Sequence, residues 1–80
     1  MNELSQVFAD YVHKSWSKWM RYLFQQSTRN EDGTVTIPKE FVDRWTRQMD
    51  TNYEDLSASE QLSDIDEAYE IIAIFDDWLA

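Results

Sequence analysis

The spacing of apolar residues is the feature that most constrains how this chain folds. In the first third of the sequence they recur at steps of three and four, which predicts helix 1 at about residues 3–26. Its apolar face consists of Leu4, Phe8, Val12, Trp16, Trp19 and Leu23. Lys14, Lys18 and Arg21 fall on the opposite face, so helix 1 is amphipathic with a basic outer side.

The start of a third helix is marked by a capping pattern. Ser57 is followed three residues later by Glu60, the pairing of a capping box, and Ser59 is an alternative cap. These signals predict helix 3 at about residues 57–79. Its main apolar face holds Leu62, Ile65, Tyr69, Ile72 and Leu79.

Between these two helices the sequence predicts a loop and a shorter helix. The dipeptide Asp32-Gly33 is typical of a turn. Pro38 suits the first helical position, so helix 2 is predicted at about residues 38–49. The expected fold is therefore all-α, a compact three-helix bundle that forms a single domain over residues 1–80, with one Asp-Gly loop between helices 1 and 2.

Helix 3 has more apolar surface than a three-helix core needs. Ile71, Ile74, Phe75 and Trp78 extend its apolar face around one flank. A chain of 80 residues buries only about 60% of the surface that its unfolded form exposes, so it needs every apolar contact it can make. Either helices 1 and 2 cover this flank, or a partner or a second copy does, with Trp78 as an anchor.

The charge of the chain is unevenly distributed. All seven basic residues lie between Lys14 and Arg47, whereas residues 50–80 contain ten carboxylates and no base, and the net charge is −9. This balance argues against direct binding to nucleic acid or to an anionic membrane. Asp76 and Asp77 also lie at the negative end of the helix dipole, which disfavours them locally. We expect these acids to face either the basic side of helix 1 or the basic groove of a partner protein.

The acids of helix 3 are spaced about 5–11 Å apart, comparable with phosphates along a nucleic-acid strand. Helix 3 is therefore a candidate DNA-mimic surface. The predicted partner-binding residues combine these acids with apolar anchors: Asp64, Asp66, Glu67, Glu70, Asp76, Asp77, Ile71, Ile74 and Trp78.

Little in the sequence indicates catalysis. There is no cysteine, and His13 is the only histidine, so no nucleophile set or zinc site can be assembled. Asp66 and Glu70 are one turn apart, but two carboxylates on one helix are usually surface acids. We predict neither an enzyme nor a metal or cofactor site.

A small-ligand site is an alternative. Trp16 and Trp19 could stack a nucleotide base while Arg44 or Arg47 binds its phosphate, although these rings also suit a core. No run approaches the ~20 apolar residues of a membrane span, and the amino-terminal residues lack a signal-peptide pattern. The expected location is the cytoplasm.

Three runs of the sequence, HKSWSKWMRYLF, DGTVTIP and DRWTRQM, resemble a family of small proteins encoded by tailed bacteriophages and prophages. The similarity covers about residues 12–75. It implies a compact helical fold in the cytoplasm of a host bacterium. Small acidic phage proteins resemble inhibitors of host defence or nucleic-acid-binding proteins, so the resemblance implies an interaction protein, for example an anti-CRISPR protein.

A later stretch is similar to the carboxy-terminal half of ryanodine-receptor-type (RyR) repeat domains. The positions that carry this similarity are Tyr53, Leu56, Glu60, Asp64, Glu67 and Ala68. Ile65 stands where those domains have an arginine. This resemblance implies a nucleotide-binding or sponge module, and a purely structural homodimeric phage protein is a further alternative.

Overall fold

The computed structural model describes residues 3–80, which form three α-helices and one short hairpin. Helix α1 spans Leu4–Gln26, α2 spans Lys39–Met49 and α3 spans Ala58–Leu79. A turn of 3₁₀ helix at Tyr53–Asp55 precedes α3. The predicted all-α class is confirmed, and each predicted helix agrees with the structure to within one residue at either end.

The predicted Asp-Gly loop contains two short strands. β1 (Thr28–Arg29) and β2 (Val35–Thr36) pair antiparallel, with the first residue of β1 opposite the last residue of β2. Gly33 has a φ of 87°, a conformation that side chains with a Cβ rarely adopt. Beside it, the Asp32 carboxylate accepts hydrogen bonds from the backbone N–H and the hydroxyl of Thr34. These bonds, the hydroxyl bond first, lower the pKa of Asp32.

The start of α3 is fixed by a capping box. The Ser57 hydroxyl accepts a hydrogen bond from the Glu60 backbone N–H at 3.3 Å, and the Glu60 carboxylate accepts one from the Ser57 N–H at 3.1 Å. Ser57, rather than the alternative Ser59, is therefore the cap. These two bonds satisfy donors that the first turn of a helix leaves without partners.

Helices α1 and α3 lie side by side and antiparallel. Phe8, near the start of α1, stacks on Phe75, near the end of α3, with ring centroids 6.5 Å apart. At the opposite end of this pair, α2 meets α1 through Tyr22 and Trp45, whose ring centroids are 6.3 Å apart. We call α1 and α3 together the α1–α3 hairpin.

The compact bundle that the sequence predicts is not confirmed. None of residues 3–80 is fully buried. The radius of gyration is 16.2 Å, whereas a compact chain of this length has about 12 Å. The molecule extends 48 Å in its longest direction and 16 Å in its shortest, so it is elongated. The cause is the length of α2, because a helix of about 16 Å cannot cover an α1 of about 35 Å.

Candidate interaction surfaces

Glu67 joins α3 to α1 on one side of the α1–α3 hairpin. The Lys18 ammonium donates to its carboxylate at 2.8 Å, and the Tyr11 hydroxyl donates to the second carboxylate oxygen. The Ser15 hydroxyl lies 3.5 Å from that same oxygen. Glu67 is half-buried. This acid, predicted to bind a partner, is thus used within the chain.

Protonation equilibria follow from these contacts. The hydrogen bond from Lys18 is the main reason why the pKa of Glu67 is lowered, and the bond from Tyr11 adds to it. The same carboxylate raises the pKa of Tyr11 to about 12. The pKa of Lys18 is raised first by Glu67, with smaller contributions from the charges of Asp66 and Glu70. Those two acids therefore lie on the same side of the hairpin as the basic residues of α1.

A second ion pair joins α2 to α3. The Arg47 guanidinium lies 2.6 Å from the Glu60 carboxylate. This hydrogen bond, followed by the one from Ser57, lowers the pKa of Glu60 to about 2. Arg47, a predicted ligand-binding residue, is consequently occupied by a structural contact.

Most other acids of the second half have no ion pair. Of the ten carboxylates in residues 50–80, only Glu60 and Glu67 are paired with a base within the part of the chain that the structure describes. The remaining eight are Asp50, Glu54, Asp55, Asp64, Asp66, Glu70, Asp76 and Asp77, and all are exposed. We call Asp66, Glu70 and Asp77 the acidic strip, because they follow one another along one side of α3.

The other side of the hairpin is apolar. We define the apolar face as Phe8, Val12, Trp16, Trp19, Ile71 and Phe75. A groove of about 460 Å³ runs between the two helices here, and all of these residues except Phe75 line it. Phe75 stacks on Phe8 and on Trp78, the latter at 6.3 Å between centroids.

The exposure of α1 corrects one prediction. A core was one of the two roles that the sequence offered for Trp16 and Trp19, yet Trp16 is 58% exposed and Val12, on the same apolar face of helix 1, is 63% exposed. The residues predicted on the flank of helix 3 differ in exposure. Ile74 is half-buried, whereas Ile71 and Trp78 are more than 40% exposed. From the sequence, Trp16 and Trp19 were expected in a ligand site or a core, and an exposed apolar surface on α1 was not predicted. The signal was available, because the apolar stripe of helix 1 is about twice as long as helix 2.

Only two of the four predicted ligand-binding residues are brought together. A cleft of about 540 Å³ where the three helices meet is lined by Trp19 and Arg44, whereas Trp16 faces the apolar groove. The Arg44 guanidinium donates to the Tyr22 hydroxyl at 3.3 Å. Glu60 also lines this cleft, with its carboxylate already paired with Arg47.

Two further features bear on other classes of function. Across residues 3–80 no three histidine, cysteine, aspartate or glutamate side chains are grouped so as to hold a metal ion. The His13 ring instead lies against Trp16, with centroids 6.1 Å apart. Among the described helices, none combines the length and the apolar character needed to cross a membrane.

Comparison with known proteins gives no match: no protein-family model, curated protein or solved structure is detectably similar to this chain. The resemblances to phage proteins and to RyR-type domains therefore stay predictions. Any proposal about the function of this chain is therefore argued from two surfaces of the α1–α3 hairpin, the acidic strip and the apolar face.

Proposed function

We propose that this chain is a small acidic interaction protein that inhibits a basic, nucleic-acid-binding partner. The observation that carries the proposal is the set of eight exposed carboxylates in residues 50–80 that have no ion pair within the described residues. Local stability does not account for them, because α3 has no base in its last turn to balance Asp76 and Asp77. A basic groove on another protein would supply the missing countercharges.

The acidic strip forms no ion pair within residues 3–80, even though bases lie nearby. Lys18 is committed to Glu67, and Lys14 forms an ion pair with Asp10 at 2.8 Å. Successive acids of the strip are one and two helical turns apart, about 6 and 10 Å. Such a row supports a DNA-mimic mode of binding, in which carboxylates occupy the positions of phosphates. Long-range attraction would then accelerate association at low salt.

The proposed setting follows from the resemblance to phage proteins. The partner would be a host defence or nucleic-acid-binding protein in the bacterial cytoplasm, and the chain would act by occupancy rather than by catalysis. The compact three-helix bundle expected from the sequence belongs to the same proposal.

Neutralising the acidic strip tests the proposal. The triple variant Asp66→Asn, Glu70→Gln, Asp77→Asn is compared with a matched control, Glu3→Gln, Glu31→Gln, Glu40→Gln, which changes the net charge equally. Both are used in pull-downs from bacterial lysate at low and high salt, with duplex DNA as competitor. We expect the wild type and the control to capture a basic nucleic-acid-handling protein that salt and DNA release, and the strip variant to lose it.

Two outcomes would contradict the proposal. Capture that the strip variant retains at full strength would show that these carboxylates do not bind the partner. A captured protein that neither salt nor DNA displaces would show that binding does not use a nucleic-acid site.

A further inference from the structure

The α1–α3 hairpin leaves its apolar face open, and this surface is separate from the acidic strip. Val12 and Trp16 are more than half exposed. Together with Phe8, Trp19 and Ile71 they line one continuous groove. Single apolar residues on a surface need no explanation, but a continuous groove of rings and branched side chains indicates a contact.

The amount of exposed surface matches what a dimer buries. The accessible surface of the chain is 6601 Å², whereas a folded monomer of 9.6 kDa has about 5,100 Å². The excess of about 1,500 Å² exceeds the ~800 Å² that each partner loses in an interface of standard size, and reaches the range of obligate dimers. One neighbour on the apolar face therefore suffices to bring the chain to normal burial.

The charges of the chain are compatible with a second copy at this place. Two chains of net charge −9 repel each other unless they meet where charge is absent or paired. The one charged residue that lines the apolar groove is Glu67, which Lys18 neutralises at 2.8 Å. Glu70 lines a different groove, beside Lys14 and Lys18. Contact through the apolar faces thus leaves both acidic strips on the outside.

The lack of a core indicates why the neighbour is the same chain. With none of residues 3–80 fully buried, the folded state depends on whatever covers the apolar face. A second copy is present whenever the chain is made, and its concentration rises with that of the chain.

We infer that a second copy of this chain covers the apolar face, so that two α1–α3 hairpins pack face to face with four helices around one shared core. The face of α1 advances in steps of four, four and three residues from Phe8 to Trp19. That spacing is the one with which helices interdigitate at a shallow angle in four-helix bundles. Trp16 and Trp19 lie within the shared core, where large rings contribute most to association.

Sedimentation equilibrium of the full chain across a wide concentration range tests this inference. We expect a mass twice the 9.6 kDa of one chain, and a midpoint of thermal unfolding that rises with protein concentration. The variant Val12→Glu places an unpaired carboxylate in the shared core, so its dimer dissociation constant should rise by at least about 100-fold. The matched control is Leu62→Glu, because Leu62 is 59% exposed but does not line the groove. It should remain dimeric.

The outcomes separate this inference from the proposed function. A wild-type chain that sediments as a monomer at every concentration, or a Val12→Glu variant that dimerises like the wild type, would overturn it. A wild-type unfolding midpoint that does not change with protein concentration would also overturn the inference. The acidic-strip variant should keep the dimer mass, so loss of partner capture and loss of the dimer are distinguishable.

Discussion

Glu67 illustrates how a single carboxylate changes role with its neighbours. In a helical projection it belongs with the acids of α3, but Lys18 and Tyr11 reach it from α1. A helical projection assigns a residue to a side of its own helix and contains no information about the adjacent helix. The antiparallel pairing of α1 with α3 decides which acid is enclosed, and that pairing depends on the whole chain.

Replacing this carboxylate should change how stability depends on pH. Because the folded pKa of Glu67 is below its ordinary value of 4.5, its contribution is present above pH 4.5 and is lost as the pH falls through the folded pKa. We expect Glu67→Gln to lower the free energy of unfolding by about 1–2 kcal/mol at neutral pH. The loss should shrink in acid. Urea unfolding over a pH series measures this.

The control for that experiment is Glu70→Gln, one turn away and exposed without an ion pair in residues 3–80. Because Glu70 accepts no hydrogen bond from α1, this variant should lower the free energy of unfolding at neutral pH less than Glu67→Gln does. Both variants should keep the part of the pH dependence that comes from Glu60, whose pKa is about 2. If the free energy of unfolding depends on pH in the same way for wild type and Glu67→Gln, the contacts of Glu67 with Lys18 and Tyr11 do not stabilise the fold.

At the scale of elements, local signals and tertiary signals behave differently. The boundaries of α1, α2 and α3 were predictable because apolar spacing and caps such as Ser57 act within a few residues. Pro38 illustrates the remaining error, since it is the N-cap and not the first helical residue. The strands β1 and β2 in the Asp-Gly loop have two residues each, which is too short for a periodic pattern in the sequence to reveal them.

The capping box yields a prediction for α3. Ser57→Ala removes the oxygen that accepts the Glu60 N–H, so the free energy of unfolding should fall by about 1 kcal/mol. Ser59→Ala, in the first turn of the same helix, should be close to neutral because Ser59 is not the cap. Chemical denaturation of both variants measures the difference. A greater loss for Ser59→Ala would show that the helix begins elsewhere.

At the scale of the whole molecule, the α1–α3 hairpin has acids along one side and apolar residues along another. The acidic strip could be predicted from the sequence, because charge and helical spacing suffice to locate it. The apolar face was predictable only in part: Ile71 and Phe75 were recognised as surplus apolar residues of helix 3, whereas no such surplus was recognised on helix 1, where Val12 and Trp16 are exposed. What decides their exposure is that α2 is too short to cover α1, and also that α2 lies at one end of the hairpin.

The clustering of carboxylates in residues 50–80 should make the free energy of unfolding depend on salt concentration. Raising the ionic strength from about 0.01 M to about 0.15 M shortens the screening length from about 30 Å to about 8 Å, which weakens repulsion among the unpaired carboxylates. We expect the free energy of unfolding of the wild type to rise by a few tenths of a kcal/mol for each carboxylate whose repulsion is weakened. The Asp66, Glu70, Asp77 triple variant should respond less than the Glu3, Glu31, Glu40 control. Unfolding curves at the two salt concentrations compare them, and equal responses would refute the link to the strip.

The 16 Å thickness of the molecule has a consequence for its sequence evolution. In a protein with a closed interior, most apolar positions are constrained by neighbours on the same chain. In this chain none of residues 3–80 is fully buried, so the substitutions that are tolerated at the exposed Val12 or Trp16 are decided by whatever lies across the apolar face. If that neighbour is an identical chain, each substitution there enters the contact twice, so change is tolerated only where a residue fits against its own copy.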